Sequence, residues 1–330
     1  MEALDFENLY KEFLGKVTNL IEEYVKAEEP LVLYVPYKYI MSTGGKRIRA
    51  VLTMIAAGAV GGKPEDALNC GVAIEILHNF TLVHDDIMDK SPVRRNKPTI
   101  HAKWDEPTAI LTGDVMVGQA LSLLPDTNTN KNSCEIMKTF TQGLIGVCEG
   151  QAYDMQFNGK KDVTLEDYIL MITKKTARLL ETSAVIGGFC GNGTEEQIIT
   201  LRNYANSLGL AFQIQDDLLD ISAEQAELGK TIGLDIIEGK KTFLIIKAIE
   251  KATNSKDKKL LRKFIEGNGL SKEYISDMQE MFKRLSIYQE AQIRINEYFE
   301  KAEKETYKLP DNDYSGMLRW LLKRLNKRKF

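Results

Sequence analysis

Apolar residues recur at helical spacing along nearly the whole chain, as in Phe6, Leu9, Phe13, Val17, Leu20, Ile21 and Tyr24, and sustained strand-type alternation is absent. The spacing predicts helices over about 6–28, 38–60, 65–89, 107–124, 132–157, 164–190, 194–221, 239–252, 256–266, 271–308 and 314–326, an all-α fold. Seven of the eight prolines fall in the first 125 residues, between or at the start of these segments, so they are expected to punctuate helices and not to break them. Thr164-x-x-Asp167 and Thr194-x-x-Gln197 each open an apolar run with a capping-box pattern. The segments 65–89, 164–190 and 194–221 are apolar round most of their circumference, which predicts central helices with others packed about them. No linker divides the chain, and a single domain over 1–330 is expected.

Composition adds little beyond this. An apolar content of 43% supports a large core, and a formal charge of −3 gives no long-range field to recommend nucleic acid as a partner. Cys70, Cys134, Cys148 and Cys190 are scattered, with no CxxC, and read as free thiols in a reducing cytoplasm. No apolar run reaches the roughly 18 to 20 residues of a membrane-spanning helix. The first residues, MEALDFENLYKEF, are acidic and amphipathic, unlike a signal peptide, so a cytoplasmic location is expected.

Two acidic clusters carry the chemistry. Asp85-Asp86-Ile-Met-Asp89 and Asp216-Asp217-Leu-Leu-Asp220 share the pattern DDxxD and end strongly apolar segments. On a helix the first and fifth members share a face, where like charges repel, and their apolar flanks imply partial burial, so a cation must offset them. Magnesium, which prefers oxygen ligands and shares substrate phosphates, fits best. Arg94-Arg95-Asn96-Lys97-Pro98 follows the first cluster at once. These charges either pair as surface salt bridges or surround a phosphorylated ligand together with the metal, arginine's fork suiting phosphate bidentately.

A second basic group, Gly44-Gly45-Lys46-Arg47-Ile48-Arg49, is not a P-loop, because Arg47 stands in the Ser/Thr position after the lysine. Lys46 and Arg49 share a helical face, and the glycines allow close backbone approach to a ligand. Lys174-Lys175-Thr176, Gln213, Lys230 and Lys240-Lys241 likewise interrupt apolar or glycine-rich stretches. With His78, His84 and His101 as its only histidines, the chain has too few for a His/Asp metal phosphohydrolase. His78, two turns before Asp85 on the same helix, either packs in the core or faces the same cavity.

Taken in order, GGKRIRA, EILHNFTLVHDDIMD, RRNKPT, GQAYD, KKT, FQIQDDLLD and GKTIGLD with EGKKT resemble the trans-isoprenyl diphosphate synthases over roughly residues 40–245. They are similar in particular to archaeal geranylgeranyl and farnesyl/geranylgeranyl diphosphate synthases, whose first cluster is likewise DDIMD. The resemblance implies a helical bundle of the isoprenoid synthase type with a central diphosphate and metal cavity, the two clusters forming opposing walls. It implies that Asp85 and Asp89 hold two Mg²⁺ ions and Asp216 a third, with Asp86, Asp217 and Asp220 orienting and hydrating them. Arg94, Lys175, Lys230 and Lys240, with Gln151 and Asp154 lining the cavity, would hold the allylic diphosphate. Lys46, Arg49, His78 and Arg95 would hold isopentenyl diphosphate, and Thr176 and Gln213 would lie near the developing allylic cation. Register against Thr176 favours Lys175 over Lys174. Ala50 departs from the proline common after GGKRxR. A homodimer through apolar helices is also implied.

Phe80 lies five positions before Asp85, roughly 7 to 8 Å back along the helix, and because the growing hydrocarbon runs that way in the family it resembles, the resemblance implies that Phe80 floors the channel, with Leu77 setting a finer limit. Archaeal synthases of twenty-carbon products commonly have an aromatic residue there, so the resemblance implies a twenty-carbon product, with a farnesyl or longer-chain product as the alternative. A terpene cyclase, which needs no isopentenyl site, and a non-catalytic partner subunit without metal ligands are disfavoured by the two full clusters and by Lys46 and Arg49. Basic residues from Lys323 to Lys329 either close over the site or solvate the C-terminus.

Overall fold

The computed structural model describes residues 5–125, 130–222 and 232–327. Helices dominate. They are α1 (Phe6–Tyr24), α2 (Leu31–Met41), α3 (Ile48–Ala59), α4 (Leu68–Met88), α5 (Ile100–Lys103), α6 (Glu106–Ser122), α7 (Ser133–Asn158), α8 (Leu165–Ile172), α9 (Arg178–Cys190) and α10 (Glu195–Ser222). Further helices span Leu234–Ile237, Phe243–Lys251, Ser255–Glu266, Ile275–Arg284, Ile287–Thr306 and Asp313–Asn326. The predicted helix starts at 164 and 194 are both capped as the sequence implies: Thr164 and Asp167 exchange hydrogen bonds, as do Thr194 and Gln197.

Several expected helices are divided, each for a local reason. The segment 38–60 breaks into α2 and α3 at a turn where Gly44 and Gly45 take φ of 78° and 141°, and Arg47 also adopts the left-handed region at 46°. The segment 271–308 breaks where Ser286 has φ 58°. The segment 164–190 is interrupted by a π-helical turn over Thr173–Ala177. Pro36 lies inside α2, against the expectation that prolines only punctuate. The hydrogen bond it forgoes is to Val32, which is 66% exposed, so water can satisfy that carbonyl. A two-stranded ribbon, Val93–Arg94 with Lys97–Pro98, pairs antiparallel, turned by Arg95 and Asn96 at φ 51° and 60°.

The chain resolves into two compact units, each gathered from separate stretches: Met1–Ile145 with Leu179–Ala205 and Lys304–Leu321, and Gly146–Arg178 with Asn206–Glu303 and Leu322–Phe330. In the first, α4 lies against α3 and α6 and is buried on all sides from Cys70 to Leu77. Cys70 and Cys190 are buried thiols with sulfurs 3.7 Å apart. Towards its end α4 emerges: Asp85 is half-buried and Met88 and Asp89 are exposed. In the second, α8 lies against the helix Phe243–Lys251, with Tyr168 edge-on to Phe243. The C-terminal part of α10 buries Leu210, Ala211, Ile214 and Leu218.

Candidate active site

The first aspartate cluster occupies the last turn of α4. Asp85 is half-buried and Asp89, which caps the helix, is exposed, while Asp86 points inward and is 2% exposed. The ribbon beyond returns Arg94 to the helix, and its Nε donates to Asp86 at 2.7 Å. Burial pushes the Asp86 carboxyl above its usual range, with Arg94 working against that rise. Of the two alternatives for this acidic and basic juxtaposition, an ion pair is present between Arg94 and Asp86, and Asp85 and Asp89 share the outer face. Deeper in α4, Leu77 is fully buried, and Phe80 is buried with its ring edge-on to His84, centroids 4.7 Å apart.

The same unit gathers the basic residues. The tight Gly44–Gly45 turn sets Lys46, exposed, just before Arg47, which is buried, donating to the Met41 carbonyl at 2.5 Å and to Glu75 at 3.2 Å. Arg49 is half-buried, and its Nε is buried without a hydrogen-bond partner. Arg95 donates to the Gly44 carbonyl and lies 3.5 Å from the Thr43 hydroxyl. Burial pulls the Arg49 guanidinium down to about 10, partly opposed by Glu75 and furthered by Arg95. Arg95 is lowered by burial too, with Arg47 and Arg94 adding to the effect. His78 is held well below its ordinary range, first by burial and then by the charges of Arg49, Arg95, Arg94 and Arg47. His78 therefore lies within the reach of four guanidinium charges on its own helix's flank. Crowded cations with an unsatisfied guanidinium nitrogen are groups whose chemistry suits an anion.

In the second unit the π turn organises the polar groups. Such turns are rare and add a residue within a helix, re-aiming its side chains. Two glycines let neighbouring helices reach its backbone: a Cβ on Gly150 would stand 2.2 Å from the Lys175 nitrogen, and one on Gly209 would stand 2.4 Å from the Ala177 Cα. Lys175 donates to Asp154 at 2.6 Å, whereas Lys174 is turned to Glu149. Gln151 is buried on α7, one turn before Asp154. Thr176 donates to the Gln213 side-chain oxygen at 2.6 Å, Gln213 donates to Asp217 at 2.8 Å, and the Tyr168 hydroxyl donates to the other Asp217 oxygen at 2.6 Å.

Within the second cluster Asp216 is exposed and Asp217 buried. Burial drives the Asp217 carboxyl well upward, Asp235 adding to the rise while the Tyr168 and Gln213 hydrogen bonds oppose it. Asp220 is pushed up to about 7 by burial and by Asp235, whose backbone N–H it accepts at 3.2 Å. Lys240 pairs with Asp235 at 3.3 Å and Glu238 at 2.8 Å, and these carboxylates raise its ammonium although burial opposes them. Lys230 lies outside the described residues.

The first unit thus brings Arg49, His78, Arg94 and Arg95 about one locus, and the second brings Lys175 to Asp154, Thr176 to Gln213 and Asp217, and Lys240 to the Asp235 beside Asp220. Sequence reasoning missed Arg47, Glu75, Tyr168 and Asp235. Among the described residues no three His, Cys, Asp or Glu side chains converge as a metal site. Asp85, Asp89 and Asp216 supply only oxygen donors and reach solvent, which suits Mg²⁺, a cation that takes one or two carboxylates and completes its shell with water and phosphate.

Residues 30–284 match the family model described as polyprenyl synthetase. A short chain isoprenyl diphosphate synthase of Methanothermobacter thermautotrophicus is 38% identical over 284 residues, 86% of either chain. A geranylgeranyl diphosphate synthase of Sulfolobus acidocaldarius is 37% identical over 285 residues, again 86% of either. Among solved structures, the geranylgeranyl pyrophosphate synthetase from Pyrococcus horikoshii superposes with a TM-score of 0.89 at 32% identity, over 99% of this chain and all of its own.

Proposed function

We propose, for a chain that belongs to the polyprenyl synthetase family, that its residues join isopentenyl diphosphate head to tail to an allylic diphosphate and stop at geranylgeranyl diphosphate. The chain is a trans-prenyltransferase of the short-chain isoprenyl diphosphate synthase kind. Residues 1–330 act, in this reading, as one such domain in a cytoplasmic homodimer. No helix among the described residues is long and apolar enough to cross a membrane.

The family uses Mg²⁺. In this reading Asp85 and Asp89 would hold two ions and Asp216 a third, and ions so held would supply positive charge where negative charge grows on the departing pyrophosphate. Lys175, Arg94, Lys230 and Lys240 bind the allylic diphosphate. Carboxylate partners support this for three of them, because Asp154, Asp86 and the Asp235–Glu238 pair hold extended cationic side chains in defined directions before substrate arrives. Gln151 and Asp154 line that site. Asp86, Asp217 and Asp220 orient the outer carboxylates.

Thr176 and Gln213 face the allylic cation left by ionisation. Donation from Gln213 to Asp217 fixes the amide so that its oxygen accepts from Thr176, which leaves the Thr176 oxygen lone pairs free to stabilise positive charge. Lys46, Arg49, His78 and Arg95 hold isopentenyl diphosphate, whose double bond attacks the cation. A proton then leaves, and the released pyrophosphate is the base, since no protein group is placed by this reading to take it. Phe80 and Leu77 end the hydrocarbon channel, and apolar walls keep out water that would quench the cation.

The observation that carries the reading is the guanidinium cluster about His78 with its unpartnered Arg49 nitrogen. It is an anion site additional to the aspartates, which a cyclase of one allylic substrate does not need. Product chromatography with dimethylallyl, geranyl and farnesyl primers tests it: each is expected to be extended to a twenty-carbon diphosphate, and cyclic or unextended products would overturn it.

A further inference from the structure

We propose that Glu75 is a positioning residue for isopentenyl diphosphate, acting through Arg47 to set the direction of the Lys46 to Arg49 turn. The inference rests on the assignment of Lys46, Arg49, His78 and Arg95 to that substrate. Glu75 lies on α4, one turn before His78, and is 2% exposed; Arg47 is 6% exposed. The two form an ion pair of 3.2 Å, and the second Glu75 oxygen is buried without a hydrogen-bond partner.

A carboxylate is an unexpected neighbour for an anion site. Arg47, Arg49, Arg94 and Arg95 face Glu75 and Asp86 as carboxylates, and Asp86 is bonded to Arg94. Glu75 instead faces three guanidiniums, since its charge also raises Arg49 and Arg95 against their burial. The surplus of positive charge matches the several negative charges of a diphosphate monoester. Attraction alone would be stronger without Glu75, so its contribution must be geometric.

The geometry is specific. Arg47 is a non-glycine residue at φ 46°, a left-handed conformation that crowds its Cβ, and it is held there by the Met41 carbonyl and Glu75. Its backbone is the start of α3, directly between Lys46 and Arg49. The Lys46 carbonyl is in turn tied by the Tyr10 hydroxyl at 2.7 Å. Fixing Arg47 therefore fixes which way its two neighbours project.

The test is steady-state kinetics of Glu75→Gln with both substrates varied, alongside thermal unfolding. The expected result is a KM for isopentenyl diphosphate raised roughly tenfold, with the KM for the allylic substrate within about twofold of wild type. A lowered isopentenyl KM would mean that Glu75 merely tempers charge, and a fall in Tm with both KM values unchanged would mean that it only supports the fold; either overturns the proposal. If Glu75→Gln does not fold, the double variant Arg47→Met/Glu75→Leu removes both members of the buried pair, a change that such sites tolerate better. The same rise in isopentenyl KM is expected from it, and an unchanged value overturns the proposal. Arg49→Ala separates the two levels: an unaltered isopentenyl KM there would sink the underlying site assignment, whereas a raised one beside an unaltered Glu75→Gln would sink this inference alone.

Discussion

The Tyr168 hydroxyl donates a 2.6 Å hydrogen bond to the buried carboxylate of Asp217, 49 positions further along the chain. With Gln213 on the other oxygen, Asp217 is held from two sides, and through Gln213 it sets the direction of the Thr176 hydroxyl. Tyr168→Phe keeps the ring against Phe243 and removes only the donor. Removing the donor leaves a buried carboxyl oxygen short of a partner, a loss of about 1–3 kcal/mol, so kcat is expected to fall roughly tenfold, with a modest loss of Tm. Wild-type kcat in this variant would show that the chain from Tyr168 to Thr176 does not bear on the reaction.

Gly150 sits where a Cβ would strike the backbone nitrogen of Lys175 at 2.2 Å. Backbone cannot swing aside as a flexible side chain can, so Gly150→Ala must shift the π turn that carries Lys175 and Thr176. Activity is expected to drop at least about tenfold, a misplacement of about 1 Å being enough to cost more than that. Far-ultraviolet circular dichroism should remain helical, which separates local displacement from unfolding.

Phe80 is buried and edge-on to His84. Truncation to alanine opens space below the first aspartate cluster, so Phe80→Ala is expected to yield products longer than twenty carbons by chromatography. A Phe→Ala cavity costs about 3–5 kcal/mol, so the assay belongs well below the variant's Tm. Unchanged product length in folded protein would remove Phe80 from the channel floor.

His78 is kept neutral by burial and by the charges of Arg49, Arg95, Arg94 and Arg47. Its folded value lies below the ordinary 6.5, so the unfolded chain binds the extra proton first and acid favours unfolding. The stabilisation is therefore complete above about pH 6.5 and declines as pH falls below it, by about 1.4 kcal/mol per unit until the folded-state value is reached. Unfolding followed between pH 7.5 and 5 should show a shallower acid loss in His78→Gln than in wild type; parallel curves would contradict this.

Sequence pattern revealed what depends on periodicity and on local motif. The helices, both capping boxes and the polar residues of DDxxD, KKT and FQ were legible because each is written in adjacent positions. Tyr168 was not, since an aromatic residue on an apolar helix face reads as core until Asp217 is brought to its hydroxyl by the fold. Glu75 and Arg47 were hidden for the same reason, a buried ion pair being a relation between distant residues. The π turn has no hydrophobic period of its own and only appears where Gly150 and Gly209 admit neighbouring backbones. The division of 38–60 was foreshadowed by Gly44-Gly45, whose freedom at positive φ outweighs the apolar residues on either side.

Whether the chain condenses two diphosphates with magnesium is decided by pyrophosphate release, measured with each substrate alone and with both together. Pyrophosphate release is expected only when Mg²⁺, isopentenyl diphosphate and an allylic diphosphate are all present, abolished by chelation and reduced by orders of magnitude in Asp85→Asn and Asp216→Asn. Equal release from the allylic substrate alone, or none with all three components, would contradict it.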